Sequence, residues 1–323
     1  TLHLIAESDA NDARLLQPRT SRGIGMHAVW NDDFHHALHV RLTGEQQGYY
    51  LGFQPRPGRD HLVDCLNHRV SYTGQYSPFR RRRHGRPHDD RPADQFVIYN
   101  QNHDQVGNRA RGERLIETAG PAAARLAAAF TLLSPGLPLL FMGEECGCRQ
   151  PFPYFVSHGD PELVRAVREG RAREFAAFNW NETPPDPQAA ETFATAVIDW
   201  AALEAPPFRA MQHWYAALLR LRRQHPAFHV HAETEADAPT EHIVTLRRRR
   251  HDRTALLIAN FGTEPAPVPT RDADIDLRLR LHSDESRFGG DDSPLPETVP
   301  ADAGTLILPP HAHGVYAEAP TPL

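Results

Sequence analysis

At residues 96–108 the chain reads Phe96-Val-Ile-Tyr-Asn-Gln-Asn-His-Asp-Gln-Val-Gly-Asn108. The apolar run from Phe96 to Tyr99 predicts a buried strand, which breaks at once into polar residues. A strand of a parallel sheet presents polar groups in this way, at its C-terminal end and on a rigid apolar support. His103 can donate or titrate, Asp104 can ionise, and the amides can hold hydroxyl groups. The stretch predicts a functional site at a strand end, with a plain polar loop as the alternative.

Outward from this stretch, strand-like and helix-like segments alternate over the first 230 residues. The interval from 54 to 94 is different, because it is rich in Arg, Pro and His and weakly periodic, and we expect an irregular insertion there. Strand–helix alternation is typical of a parallel sheet in an α/β fold. The predicted strands cover 2–6, 23–30, 96–99 and 137–142, and the predicted helices begin at Phe34 and cover 121–133, 160–178 and 208–224.

The pattern changes near residue 230. From 231 to 323 the chain contains short strand-like segments separated by turn signals, which predicts a small antiparallel β domain. The sequence therefore predicts two domains, 1–230 and 231–323.

Composition narrows the possible functions. The net charge of −6 gives no reason to expect nucleic acid or an anionic membrane as partner. No apolar run is long enough to span a bilayer or to form a signal peptide, so we expect a cytoplasmic protein. All 35 cationic residues are arginine, which excludes Schiff-base lysines, pyridoxal phosphate and Walker-A loops. We expect no cofactor.

Cysteine and histidine give no metal signature. Cys65, Cys146 and Cys148 are odd in number, and one C-x-C without a second half is not a zinc site, so we expect structural, reduced thiols. The group His35, His36 and His39 lacks a matching ligand set. A solvated or substrate-facing helix end is the expectation there.

Carboxylates follow each of the four predicted strands. In a parallel barrel the strand ends meet on one face. Converging Asp and Glu with neutral hydrogen-bonding groups suit glycoside hydrolysis, which needs a protonated acid at the leaving oxygen and carboxylates near a developing cation. Solubility at strand ends is the alternative reason for them. The carboxylates are Glu7, Asp32, Asp33, Asp104, Glu144 and Glu145.

Several motifs resemble the α-amylase family of glycoside hydrolases. Ala6-Glu7-Ser8 looks like its general-acid motif, and Asn102-His103-Asp104-Gln105 looks like the segment around the sugar at the cleavage point. Residues 134–145, Ser-Pro-Gly-Leu-Pro-Leu-Leu-Phe-Met-Gly-Glu-Glu, look like the last barrel helix and strand. Two stretches, 30–50 and 151–175, are similar to the trehalose-releasing members. The resemblance covers nearly the whole chain, but the last ~90 residues match only as a generic β domain.

The resemblance implies a substrate and a set of roles. It implies a retaining hydrolase that cleaves the α-1,4 bond next to the terminal trehalose of maltooligosyl trehalose, an α-1,4-glucan oligosaccharide. Glu7 would be general acid and then base, Asp104 would stabilise the transition state, and His103 would bind the same sugar. A general acid must hold its proton near neutral pH, which burial or neighbouring carboxylates favour. Further substrate-binding candidates are Trp30, Asp32, Asp33, His36, Asn102, Gln105, Tyr154 and Phe155.

Structural alternatives stay open at each of these positions. Glu7 could cap a turn, and Asp32 or Asp33 could cap the helix that begins at Phe34. Trp30, Tyr154 and Phe155 could serve packing instead of sugar stacking. Glu144 and Glu145 fit a structural or distal-subsite role better than a catalytic one.

One feature of the family is missing. Its nucleophile is an Asp in a G-F-R-x-D motif, and this motif does not occur in the chain. Only four of eight barrel strands are predicted, and four strands cannot close a barrel. The resemblance therefore implies the second half of a (β/α)8 TIM-type barrel followed by a small antiparallel β-sandwich, with the N-terminal half as a separate polypeptide or missing segment. The alternatives are an α-1,4-glucan branching enzyme, disfavoured by the 30–50 and 100–108 stretches, and an inactive carbohydrate-binding module.

Overall fold

The computed structural model describes residues 2–177, 184–268, 277–299 and 306–318, without the side chains of 174–177. The first part of the chain forms eleven strands and helices, in the order β1 (Ile5–Ala6), β2 (Ala28–Trp30), α1 (Asp32–Thr43), α2 (His61–His68), β3 (Thr73–Ser77), β4 (Arg82–Gly85), β5 (Phe96–Ile98), α3 (His103–Gly107), α4 (Leu115–Thr118), α5 (Gly120–Leu133) and β6 (Leu137–Pro138). The rest forms α6 (Pro161–Ala177), α7 (Ala190–Thr195), α8 (Pro206–Gln224), β7 (Glu233–Asp237), β8 (Ile243–Arg250), β9 (Arg253–Asn260), β10 (Ala266–Val268), β11 (Arg278–His282), β12 (Leu306–Leu308) and β13 (His313–Ala317).

A four-stranded parallel sheet carries the strand ends of interest. Its order is β1-β2-β5-β6, with Ile5 opposite Ala28, Val29 opposite Phe96, and Val97 opposite Leu137. The predicted parallel arrangement is thus confirmed for these four strands. They are shorter than predicted, because residues 23–27 and 139–142 lie outside the ladder. The C-terminal ends of all four strands lie at one edge of the sheet.

The helices that follow the strands pack on one face of this sheet. In α1 the N-cap is Asn31, whose side chain accepts from the amide of Phe34. The alternative that Asp32 or Asp33 caps this helix is therefore wrong. Helix α5 begins at Gly120 with Pro121 in its first turn and ends before Ser134, as the sequence predicts.

The interval from 54 to 94 is more regular than predicted. It contains α2 and the antiparallel hairpin of β3 and β4. Asp60 caps α2 by accepting from the amides of Leu62 and Val63. The hairpin has little apolar periodicity of its own, which explains why the sequence did not predict it.

The C-terminal part is antiparallel, as predicted. Five strands pair in the order β11-β13-β9-β8-β7, and a two-stranded sheet of β10 and β12 shares an apolar cluster with one face of them. The other face joins the helices in one continuous hydrophobic core. In that core Phe130 of α5 lies against Phe261, with ring centroids 5.2 Å apart. Among the strand-like segments of this part are 275–281 and 305–308, whose first residues, 275–276 and 305, lie outside the described residues. No helix among the described residues is both long and apolar enough to cross a membrane.

Candidate functional site

The parallel sheet has an inner face that points away from the helices. Side chains alternate along a strand, so Ala28 and Trp30 of β2 share this face with Val97 and Tyr99 of the neighbouring strand segment. Ala28, Val97 and Tyr99 form one apolar cluster, with Trp30 and Leu139 packed against it. This cluster is the floor of the candidate site.

Glu7 and His103 meet above this floor. Glu7 follows β1, and its Oε1 lies 3.7 Å from Nε2 of His103. Both side chains are open to solvent, with relative exposures of 60% for Glu7 and 55% for His103. The imidazole packs edge-to-face on Trp30 at 5.7 Å, so two separate strand ends meet here. The burial expected of a general acid is not provided at Glu7 by this chain itself.

Asn102 organises the turn that carries Asp104. Its side-chain oxygen accepts from the amides of Asp104 and Gln105 at 3.0 and 3.1 Å, which caps the short helix α3. Asp104 remains exposed and accepts a hydrogen bond of 2.7 Å from Asn108. The buried Asn102 thus has a structural contact in addition to its predicted role toward sugar.

Asp32 lies at the centre of the site. Its Oδ1 accepts from the phenol of Tyr99 and, at 3.4 Å, from the amide of Gln105. Burial raises the pKa of Asp32 to about 6, with the Tyr99 hydrogen bond opposing this and the charges of Asp9 and Asp104 adding to it. A partly exposed carboxyl with such a pKa, next to other acids, is a candidate functional group.

Tyr99 is a site residue that the sequence analysis missed. It reads as the last apolar residue of a buried strand, yet its hydroxyl reaches Asp32. Burial raises its pKa, and the charges of Asp32, Asp104 and Glu7 raise it further. The phenol therefore stays protonated and donates. Its position at the polar break was the one available signal.

The structure places Asp33 away from this edge. The buried carboxylate accepts from the amides of Ser71 and Tyr72 at 3.0 and 2.8 Å, and from the side chain of Asn11 at 2.8 Å. These contacts hold the loop before β3 against α1. These contacts favour a structural role for Asp33 over the predicted sugar contact.

The histidines of α1 are also buried, contrary to the expectation of a solvated or substrate-facing helix end. His36 stacks on Tyr49 at 4.9 Å and lies edge-on to Phe53 at 5.1 Å. Burial lowers the pKa of His36 to about 3, so it is a neutral aromatic core residue. This placement argues against the predicted sugar contact of His36. Among the described residues, no group of three or more His, Cys, Asp or Glu is arranged to hold a metal ion.

Tyr154 and Phe155 differ in exposure. Tyr154 is exposed and lies under the guanidinium of Arg171, 4.6 Å from the ring centroid. Phe155 packs between Phe152 and Phe193, with centroid distances of 5.5 and 5.2 Å. A sugar can therefore reach Tyr154 more readily, whereas Phe155 contributes to packing.

Glu144 lies beneath the site. Its carboxyl accepts from the side chains of Asn100 at 3.3 Å and Gln101 at 3.4 Å, and pairs with the hydroxyl of Tyr215 at 3.2 Å. Burial raises its pKa to about 8, against the opposing effect of these hydrogen bonds. These contacts agree with the structural alternative for Glu144.

Comparison with known proteins finds relatives that share one name. No family model matches the chain. It is 44% identical over 238 residues to the malto-oligosyltrehalose trehalohydrolase of Arthrobacter ramosus, covering 73% of this chain and 41% of that protein. It is 38% identical over 282 residues to the protein of the same name from Mycobacterium tuberculosis, covering 83% of this chain and 46% of that protein.

Solved structures agree. A Salmonella typhimurium protein described as a candidate α-amylase superposes with a TM-score of 0.78 at 34% identity, covering 98% of this chain and 51% of that one. The α-amylase of H. orenii has a TM-score of 0.54 at 17% identity, with 98% of this chain and 54% of that one covered, and supports the fold alone.

The chain spans about two-fifths of the length of the curated relatives it matches, 41% in the Arthrobacter protein. This partial coverage agrees with the expected C-terminal portion of such an enzyme. The chain is thus a relative of the malto-oligosyltrehalose trehalohydrolases and belongs to the α-amylase family of glycoside hydrolases.

Proposed function

We propose that the protein to which this chain belongs is a retaining glycoside hydrolase that releases trehalose from maltooligosyl trehalose. The observation that carries the proposal is the meeting of Glu7 with His103, at 3.7 Å, beside the exposed Asp104. Glu7 follows β1, whereas His103 and Asp104 follow β5, and these two strands are separated by β2 in the sheet. A retaining hydrolase needs a proton donor and a nucleophilic carboxylate that flank the glycosidic bond, and Glu7 is the proposed donor.

Each group has a defined task in this proposal. Glu7 protonates the leaving oxygen and later takes a proton from water. Asp104 holds sugar hydroxyls and stabilises the positive charge of the transition state, and His103 binds the same sugar ring. Asp32, held by Tyr99 and Gln105, presents its free oxygen to the sugar beyond the cleaved bond. Trp30 and Tyr154 supply aromatic surface.

The nucleophile is proposed to come from residues outside this chain. A retaining enzyme needs a second carboxylate roughly 5–5.5 Å from the acid. The inner face of the sheet exposes apolar side chains that a half-barrel would cover, with Ile5 on β1 51% exposed and Leu137 on β6 38% exposed. These two strands are the sheet edges. We propose that residues 1–230 are the second half of the (β/α)8 barrel, that 231–323 form the β domain, and that further strands close the barrel here.

The test uses the complete protein and maltooligosyl trehalose. We expect free trehalose, and we expect Glu7→Gln to lower kcat by about 10²–10⁴-fold because the proton donor is lost. Glu235→Gln on the exposed β7 is the matched control and keeps full activity. A near-normal rate in Glu7→Gln would rule out the assigned role.

Product analysis also separates the alternatives. New α-1,6 linkages without free trehalose would identify a branching enzyme. Sugar binding without turnover by the complete protein would identify a carbohydrate-binding module. Either result would overturn the proposed reaction.

A further inference from the structure

Helix α3, which carries Asp104, is anchored at its C-terminal end to helix α6 by an arginine. Arg171 donates from Nη1 to Oδ1 of Asn108 at 2.7 Å and from Nη2 to the carbonyl oxygen of Gly107 at 2.9 Å. Asn108 in turn donates from Nδ2 to Oδ1 of Asp104 at 2.7 Å. Two hydrogen bonds therefore connect a helix far along the chain to the carboxylate.

The donor and acceptor groups of these residues fix the orientation of the Asn108 side-chain amide between Arg171 and Asp104. A guanidinium only donates, so the oxygen of the Asn108 amide has to face Arg171. The amide nitrogen then faces Asp104, where it donates. A flipped amide would place N–H against the cation and an oxygen against the carboxylate. Arg171 therefore sets the orientation in which the Asn108 amide donates to the carboxyl group of Asp104.

The same guanidinium packs on Tyr154, at 4.6 Å from the ring centroid. Tyr154 and Arg171 line a shallow pocket with Arg109, Pro153 and Pro184. A planar guanidinium can donate hydrogen bonds to Asn108 and Gly107 while its face stacks on the ring of Tyr154. The ammonium group of lysine cannot make all three contacts at once. The geometry demands arginine at this position.

We infer that Arg171 is a positioning residue for Asp104 and acts through Asn108. The inference rests on the proposed function, because it assigns to Arg171 the orientation of a group that stabilises the transition state. Arg171 itself does not touch the reacting atoms. Misplacement of such a group lowers the rate more than it weakens substrate binding.

The experiment measures kcat and KM of the complete protein for maltooligosyl trehalose. We expect Arg171→Lys and Asn108→Leu each to lower kcat by about tenfold, with KM changed less than about twofold and a cooperative unfolding transition retained. The double variant should be no slower than Asn108→Leu alone, because residues acting in series are not additive. Arg168→Lys, on the same helix and paired with the exposed Asp186, is the matched control and keeps the wild-type rate.

The outcomes separate the two claims. An inactive wild-type protein would overturn the proposed function. A trehalose-releasing wild type with normal kcat in Arg171→Lys would overturn only the proposed positioning of Asp104. Additive losses in the double variant, or an equal loss in Arg168→Lys, would likewise reduce Arg171 to a general structural contact. If Arg171→Lys fails to fold, the Asn108→Leu variant provides the test, because it leaves the contact between Arg171 and Tyr154 in place. A normal kcat in Asn108→Leu would overturn the proposed positioning of Asp104 through Asn108.

Discussion

Glu144→Gln tests whether the buried carboxyl beneath the site is neutral. The pKa of Glu144 is raised from 4.5 to about 8, chiefly by burial. A group whose pKa is raised on folding gives its full stabilisation below the unfolded value of 4.5 and loses it as the pH rises toward 8. The whole difference corresponds to about 5 kcal/mol of unfolding free energy, of which about 3–4 kcal/mol is lost between pH 5 and pH 8.

The glutamine variant removes this pH dependence at a small fixed cost. In the variant an amide NH2 group replaces Glu144 Oε2, which now accepts from Gln101 Nε2 at 3.4 Å, so two donors face each other. Gln101 cannot flip its own amide to relieve this, because its oxygen accepts from the amide of Leu115. Such a mismatch costs about 1–2 kcal/mol. Glu144→Gln should therefore be slightly less stable than wild type at pH 5 and more stable by about 2–3 kcal/mol at pH 8.

Urea unfolding at pH 5, 6.5 and 8 measures the effect, with tryptophan fluorescence as the signal. Trp214 is buried and adjoins Tyr215, a direct contact of Glu144. Other titrating groups are common to both proteins and cancel in the difference. Glu145→Gln, which changes the less buried neighbour, is the control. Parallel stability curves for wild type and Glu144→Gln would refute the neutral buried carboxyl.

Two further predictions concern the site. Asp32→Asn in the complete protein should lower kcat/KM by about 10- to 100-fold, because a hydrogen bond that a charged carboxylate accepts from a sugar hydroxyl is worth about 1.5–3 kcal/mol. Since the pKa of Asp32 is about 6 and its ionised form accepts, the variant should also lose a rise of kcat/KM near that pH, and an unchanged profile would exclude the role. The 323-residue chain alone should release no trehalose, with activity returning when the remaining part of the barrel is co-expressed; turnover by the isolated chain would contradict the proposed external nucleophile.

Local signals in the sequence predicted much of the fold. The long helices α5 and α8 have regular apolar spacing and clear start and stop residues, and both ends of each match the prediction within two residues. Helix α6 begins within one residue of its predicted start. Strand ends were overextended, because an apolar run does not show where ladder pairing stops. The hairpin of β3 and β4 was missed since its polar residues pair with each other and not with the core.

The candidate site likewise has features that the sequence predicts and contacts that it does not. Glu7, Asp32, His103 and Asp104 lie just beyond the C-terminal ends of parallel strands, so the topology of the sheet predicts their proximity. Contacts between residues far apart in the chain leave no local pattern. The partner loop of Asp33 is 38 and 39 residues away, and the amide held by Arg171 is 63 residues away. These contacts decide which acids face the sugar and which support the scaffold.

Two buried histidines of α1, His35 and His36, do not contribute to the pH dependence of activity. His35 Nδ1 lies 2.9 Å from the carbonyl oxygen of Asn100, which only accepts, so this nitrogen carries the proton. Its Nε2 then accepts from the hydroxyl of Tyr50 at 3.1 Å, which completes a neutral tautomer. Burial lowers the pKa of His35 well below its ordinary value and that of His36 to about 3, so both rings are neutral. Because His35 holds the peptide two residues before Asn102, it stiffens the site without adding a titration. Neither of these two histidines would then account for an ionisation near pH 6 in the activity profile, and the Asp32→Asn variant tests whether Asp32 does.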